Sequence, residues 1–419
     1  MKLNKMFCVF ALLSGISSAP SFAQTCVAGS YTDTDITNAL ASTGTAMLCQ
    51  GQTYTLRHHI LLSSNQKLYT QGFPTSSTQM ATLIWANNTP IPTGVLDPPG
   101  NTATPVPYAI IDAYGTGINI QSIIVDGNLA HNTYYGHSPL LANRGSRSTG
   151  PNSVSYVTLQ HTLGFVALDA ADDPSCSSLS LTNNYINSNG VHLPQGGVKQ
   201  AWANGITIRC SNATVANNQI RDASDGGIDF LGGTNTMIQS NWIANSGQSA
   251  YGGILVDPVM GTTGSVDFTG SYVQNNLIQT SAGIHMHAAI SVGTQYSCAL
   301  QTQGAAGNNG NCQVALNPHV INNSGSGTFG WGIYIGGTTG ATVTGNNLTV
   351  TLLPGMSCSS SGSPSSSDYY VLNTPHVQTS PATPLSTGTF QATPDLPPGA
   401  PGANSYEWPC IVVPSEGSF

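Results

Sequence analysis

Two acidic and two imidazole side chains recur at related places in three short segments of this chain. Asp229 lies within GGIDF (226 to 230), Asp257 directly follows GGILV (252 to 256), and His285 and His287 lie in and just after AGIHM (282 to 286). Paired carboxyls set roughly 6.5 to 9.5 Å apart can cleave a glycosidic bond, one protonating the leaving oxygen while the other activates water. His287 could tune Asp257 or carry a proton itself, and His285 could hydrogen-bond sugar hydroxyls. Arg209, Lys199, Tyr334 and Trp331 fall near the same segments and suit ligand binding, the first two as rare cations and the others as stacking surfaces, a role open also to Trp202. Asp222 and Asp225, in RDASDGG, read first as turn formers, because short carboxylates bond their own backbone at corners. In calcium-dependent lyase chemistry they would instead join Asp229 and Asp257 as metal ligands, with Arg209 as the base.

Two interleaved motifs must position these groups. One is an apolar strand ending in asparagine: LTNNYI (181 to 186), VANNQI (215 to 220), IQSNWI (238 to 243), VQNNLI (273 to 278), VINNS (320 to 324) and VTGNNL (343 to 348). The other is a glycine followed by an alternating strand: NGITI (204 to 208), GGIDF, GGILV, AGIHM and WGIYI (331 to 335). Each glycine strand falls between two asparagine strands, and the shortest interval, Asn218 to Asn241, suits one coil of a β-solenoid. Longer intervals carry their extra residues after the glycine strand, as in Gln295 to Pro318.

Parallel strands of successive coils lie about 4.8 Å apart, so equivalent residues stack. Asparagine tolerates the left-handed backbone of a tight corner and its amides can form a ladder, while glycine permits the opposite corner. With a period of two, Ile206, Ile228, Ile254, Ile284 and Ile333 point inward, with Ile208, Phe230, Val256, Met286 and Ile335 beside them. The outward columns are then Thr207, Asp229, Leu255, His285, Tyr334 and Arg209, Leu231, Asp257, His287, Gly336. Asp257 and His287 would sit one coil apart, and Asp229 and Asp257 diagonally at roughly 8 Å.

The stacked NN(Q/L)I corners and glycine-isoleucine strands look like the pectate-lyase-like superfamily of right-handed parallel β-helices, over roughly residues 26 to 350. AMLCQGQTYTLRHHILLSSNQKLYTQG (46 to 72) resembles the superfamily's first coil, with Asp35 to Ser42 before it as a short capping helix. The resemblance implies an all-β, single-domain right-handed parallel β-helix whose glycine-strand sheet lines the substrate cleft. It implies no one reaction, since this fold hosts hydrolases, lyases, epimerases, esterases and non-catalytic adhesins. Of the polygalacturonase motifs only an echo of NTD is present, in SDGGID (224 to 229), and Asp257-Pro258 echoes half of the epimerases' DPHD.

The ends and the cysteines point to export. Lys2 and Lys5, the apolar stretch Met6 to Ile16 and Ser21-Phe22-Ala23 read as a secretory signal over 1–23, leaving a β-helix over 24–353 and a Ser/Thr/Pro/Gly-rich tail or cap over 354–419. Eight cysteines remain, and their spacing favours neighbour pairing: Cys26 with Cys49, Cys176 with Cys210, Cys298 with Cys312, and Cys358 with Cys410. Without Lys2 and Lys5, 7 basic residues face 17 acidic ones, which argues against nucleic acid or an anionic membrane surface as partner.

The sequence therefore predicts a secreted, monomeric, carbohydrate-active protein that cleaves a polysaccharide through Asp229, Asp257 and His287, with no cofactor. A calcium-dependent lyase and a non-catalytic glycan-binding adhesin stand as alternatives. The segment 124 to 152, with His131, Tyr134, Tyr135, His137, Arg144 and Arg147, is expected to project as a polar loop suited to a glycan.

Overall fold

A computed structural model describes residues 25–89, 109–132, 139–162, 164–171, 173, 175–190, 203–258, 265–293, 314–336, 338–352, 369–372, 376–378 and 392–393. Residues 1–23, expected to form a secretory signal, and Lys199, Trp202 and the last four cysteines lie outside these residues. The described strands wind into the expected right-handed parallel β-helix with three faces. The first face runs through Lys67–Thr70, Ser180–Thr182 and Tyr272–Gln274, and the second through Ala81–Trp85, Tyr185–Asn189 and Trp242–Asn245. The third carries Ile111–Ala113, Leu141–Asn143, Val166–Ala170, Asn204–Arg209, Gly226–Gly232, Ala250–Val256 and His285–Gly293. Parallel pairing continues beyond residue 353, where Tyr369–Leu372 joins Ile333–Gly336.

Each face contributes one column of β-branched and leucine side chains to a single continuous core. On the third face the column is Ile111, Leu141, Leu168, Ile206, Ile228, Ile254, Ile290 and Ile333, all fully buried. β-branched side chains suit this pleated, stacked surface. The helix Asp33–Thr43 closes the N-terminal end by burying Ile36 and Leu40. Thr32 and Asp35 form its capping box.

The corner between the first and second faces divides two tasks between two residues. Asn183, Asn217, Ser240, Asn275 and Asn322 take the left-handed backbone, with φ between 55° and 57°. The residues that follow, Asn184, Asn218, Asn241, Asn276 and Asn323, turn inward and hand their amides along the axis to Asn346, each Nδ2 donating to the next Oδ1 at 2.9 Å. Each also donates to a backbone carbonyl and accepts a backbone N–H, so the buried polar groups of the corner are paired by the stack itself.

On the third face glycine works by size, not by a left-handed corner. A Cβ on Gly227 would lie 2.5 Å from Ile243 Cγ2 and 2.6 Å from the Gly253 carbonyl, and one on Gly253 would meet Ala289 O at 2.5 Å. Smallness being the requirement, alanine can serve where the next coil leaves room. Ala288 and Ala289 take the places of Gly252 and Gly253, and the strand register follows them. Ile290 and Val292 therefore occupy the inward stations expected for Ile284 and Met286. The outward register corrects accordingly: Leu255 is followed by Ser291, not His285, and Asp257 is not followed by His287, which lies opposite Tyr251.

The segment 124 to 152 also departs from expectation. Leu141–Asn143 is a strand of the third face, stacked on Ile111–Ala113. Arg144 is drawn in against Asp112 and Arg147 pairs with Asp173, so these cations are committed to ion pairs and do not form an open patch. Tyr134, Tyr135 and His137 lie outside the described residues. Cys26–Cys49 and Cys176–Cys210 are disulfide-bonded as their spacing suggests.

Asn241→Ala in mid-ladder leaves the Asn218 backbone N–H and the Val215 carbonyl short of a partner in the interior. The expected loss is about 3 kcal/mol, against about 1 kcal/mol for Asn346→Ala at the half-buried end, checked by urea unfolding of the two variants.

Candidate functional site

Asp229 projects from the outer side of the third face because Ile228 and Phe230, its neighbours, fill the core. It stacks over Thr207 and beneath Leu255. Outward does not mean exposed, however. Asp229 is only 5% exposed, Asp257 2%, Asp169 2% and Asp225 8%. Leu255 forms an apolar wall: its side chain lies over Gly226 and Gly252, where a Cβ would approach it to 3.0 and 2.6 Å.

The polar surroundings of Asp229 are sparse. Oδ2 accepts a long 3.4 Å hydrogen bond from Asn204 Nδ2, which also donates to Thr207 Oγ1, while Asn204 Oδ1 accepts from the Gly226 N–H at 2.7 Å. Oδ1 is buried without a hydrogen-bond partner among the described residues. Burial pushes this carboxyl well above the ordinary carboxylate range, and the nearby charges of Asp257, Asp225 and Asp169 push it further; the Asn204 bond opposes them weakly. Both causes favour the protonated form of Asp229.

The other acids are placed by backbone. The Asp257 N–H donates to Phe230 O at 2.9 Å, which sets Asp257 one coil on and diagonal to Asp229, as the alternation predicted. The Asp225 carbonyl accepts from Tyr251 and Gly252 at the entrance to the strand, and Asp169 stacks beneath Thr207 with Oδ1 accepting from the Ala171 N–H. Asp169 escaped the sequence reading because VALDA lacks the glycine that marked the later strands. Extending the Ile206 column back one coil to Leu168 would have found it.

The remaining candidates separate. Arg209 ends its strand opposite Gly232, half-buried, and burial lowers its pKa. In the strand register Tyr334 pairs with Ser291 and Trp331 with Ala288. His285 sits at the strand's entrance, with Nδ1 2.9 Å from Ser249 Oγ. Asp222 does not join the acids: at φ 52° it turns the second-face corner, and its Oδ1 accepts the Ser246 and Gly247 N–H groups at 2.6 and 2.7 Å. No group of three or more His, Cys, Asp or Glu that could hold a metal ion is found among the described residues.

No family model matches the chain, and no curated protein matches it in sequence. Among solved structures it is similar to endo-xylogalacturonan hydrolase from Aspergillus tubingensis, at 15% identity and a TM-score of 0.44, over 88% of this chain and 98% of that one. It is also similar to the A-module of a mannuronan C-5 epimerase from Azotobacter vinelandii, at 15% identity, TM-score 0.42, over 87% and 96%. The surface protein and adhesin PfbA of Streptococcus pneumoniae aligns at 12% identity, TM-score 0.39, over 83% and 94%. At such identities the reaction has to be sought in this chain's own side chains.

The raised pKa of Asp229 has a consequence for stability. The native state binds this proton more tightly than the unfolded chain, so stability falls as pH rises from the ordinary carboxylate value of about 4 toward the raised one. Asp229→Asn removes the titration. The variant is expected to melt no lower than the wild type, with an advantage that widens from pH 4 to pH 8 in thermal melts.

Proposed function

We propose that this chain is a secreted polysaccharide-cleaving enzyme of the glycoside hydrolase type, with Asp229 as the general acid and Asp257 as the carboxylate that activates water. The observation that carries this reading is the Asp229 carboxyl, buried, incompletely hydrogen-bonded and pushed toward its protonated form by burial and by three neighbouring acids. A carboxyl biased toward its protonated form beside a second carboxyl is what protonation of a leaving glycosidic oxygen needs. Asn204 and Thr207 hold the acid's neighbourhood, and Asp225 and Asp169 supply the negative field that keeps the proton in place and would stabilise an oxocarbenium-like sugar.

Burial weighs against the adhesin alternative. A binding surface gains from exposed polar groups, whereas clustering nearly closed carboxyls destabilises the fold unless their shifted titration is used. With Asp229 and Asp257 nearly closed off, contact with a saccharide requires this face to open. Export is supported by the basic and apolar N-terminal pattern and by two disulfides, which suit an oxidising compartment. No helix among the described residues is long and apolar enough to cross a membrane.

The test is turnover on a panel of neutral and acidic polysaccharides. Wild-type protein should release reducing ends, and Asp229→Asn and Asp257→Asn should each lower kcat at least about 100-fold. Activity should fall as pH rises through the Asp229 pKa, because the acid must be protonated. Product absorbing in the unsaturated-uronate band would assign a lyase instead, and full turnover by both variants would overturn the acid and base roles.

A further inference from the structure

The second face carries a feature that the carboxyl cluster on the third face does not use. In its outward columns Tyr185 is followed by Gln219 and Trp242, and Asn187 by Arg221 and Ala244, each one coil apart. Arg221 reaches across the columns and packs between two rings. Its guanidinium carbon lies 4.5 Å from the centre of the Trp242 ring and 6.0 Å from that of Tyr185. Trp242 is itself anchored by Nε1 donating to Gln279 Oε1 at 3.0 Å, and Ala244 leaves room beside it.

A guanidinium with an aromatic ring on each side keeps its N–H edge for other partners. Arg221 Nε is buried and has no hydrogen-bond partner, and the side chain pairs with no carboxylate among the described residues. Asp222, next to it in the chain, is committed to the Ser246 and Gly247 N–H groups, and Asp126, three coils away in the same column, to His161, Gln160 and Asn128. In a chain with 9 basic and 17 acidic residues, an oriented cation without a counter-charge is a selective feature. The groups beside it are amides, Asn187 and Gln219, suited to hydroxyls.

We propose that this strip on the second face binds an acidic saccharide, with a uronate carboxylate on the N–H edge of Arg221, hydroxyls on Asn187 and Gln219, and the sugar's apolar face against Tyr185 and Trp242. The strip is separate from the Asp229 cluster and holds a chain without cleaving it. It does not depend on the hydrolase reading.

The experiment is calorimetric titration of the full chain, carrying Asp229→Asn so that any ligand survives, with a soluble polyuronate and with its methyl ester, which keeps the sugar backbone and lacks the negative charge. The polyuronate is expected to bind with an affinity that falls as salt rises, and the ester at least about 10-fold more weakly. Arg221→Gln should abolish the difference between the two ligands, and Arg221→Lys should restore part of it, which a merely folded-state role would not do. Circular dichroism of both variants checks the fold. Equal affinity for ester and acid, unchanged binding by Arg221→Gln, or no binding of any polyuronate would each overturn the proposal.

Discussion

Stacking of one coil on the next at the parallel-strand spacing places every side chain over its counterpart, and most of the structure follows from making that repetition tolerable. Apolar columns satisfy it easily, because like side chains interdigitate along the axis. Polar groups satisfy it only if they can bond to copies of themselves. Asparagine can, with a donor and an acceptor on one planar amide, and the ladder from Asn184 to Asn346 is the result. Aspartate cannot, since stacked carboxylates repel. Asp112, Asp169 and Asp229 share one column but never occupy adjacent coils, for Ala142 and Thr207 intervene. Where acids do gather across columns, as around Asp229, repulsion is relieved by keeping a proton.

This same constraint decides what was legible in the sequence. The fold, the asparagine corners, two disulfides and the diagonal relation of Asp229 to Asp257 could all be read, because each is a repeat or a short-range consequence of one. The coil after Gly253 could not, because its corner is satisfied by Ala288 and Ala289 while an unrelated AGIHM imitates the motif six residues earlier. A pattern keyed to glycine's identity missed a requirement for small volume. Arg144 misled in a similar way: a polar stretch suggested a loop, yet its cation is drawn in by Asp112, a partner more than thirty residues away that no local pattern reveals.

Burial of the acids was the least legible property. Alternation assigns Asp229 to the outside of the sheet, and an outside carboxylate ordinarily ionises freely. Its proton affinity depends on Leu255 folding over Gly226 and Gly252 and on three other acids, Asp225 from its own coil and Asp169 and Asp257 from others. Most of these relations are not local. The fold tolerates the cost because the core columns and the amide ladder run uninterrupted beneath the site, so destabilisation stays on the surface layer.

The corners of the coil differ in how much chain they hold. Between the first and second faces the chain turns in two residues from the Asn183-Asn184 corner to the Gly345-Asn346 corner, each pinned by the ladder, so nothing can be inserted there. The second face is consequently a flat, regular strip, able to present side chains in line at fixed spacing but not to enclose them. The third face is entered by corners of different length, two residues between Ala223 and Gly226 and four between Asn245 and Ala250. Variable margins permit a carboxyl to be shielded from water, and shielding is what shifts its pKa. A rigid margin permits only an ordered row of groups, as Tyr185, Arg221 and Trp242 form.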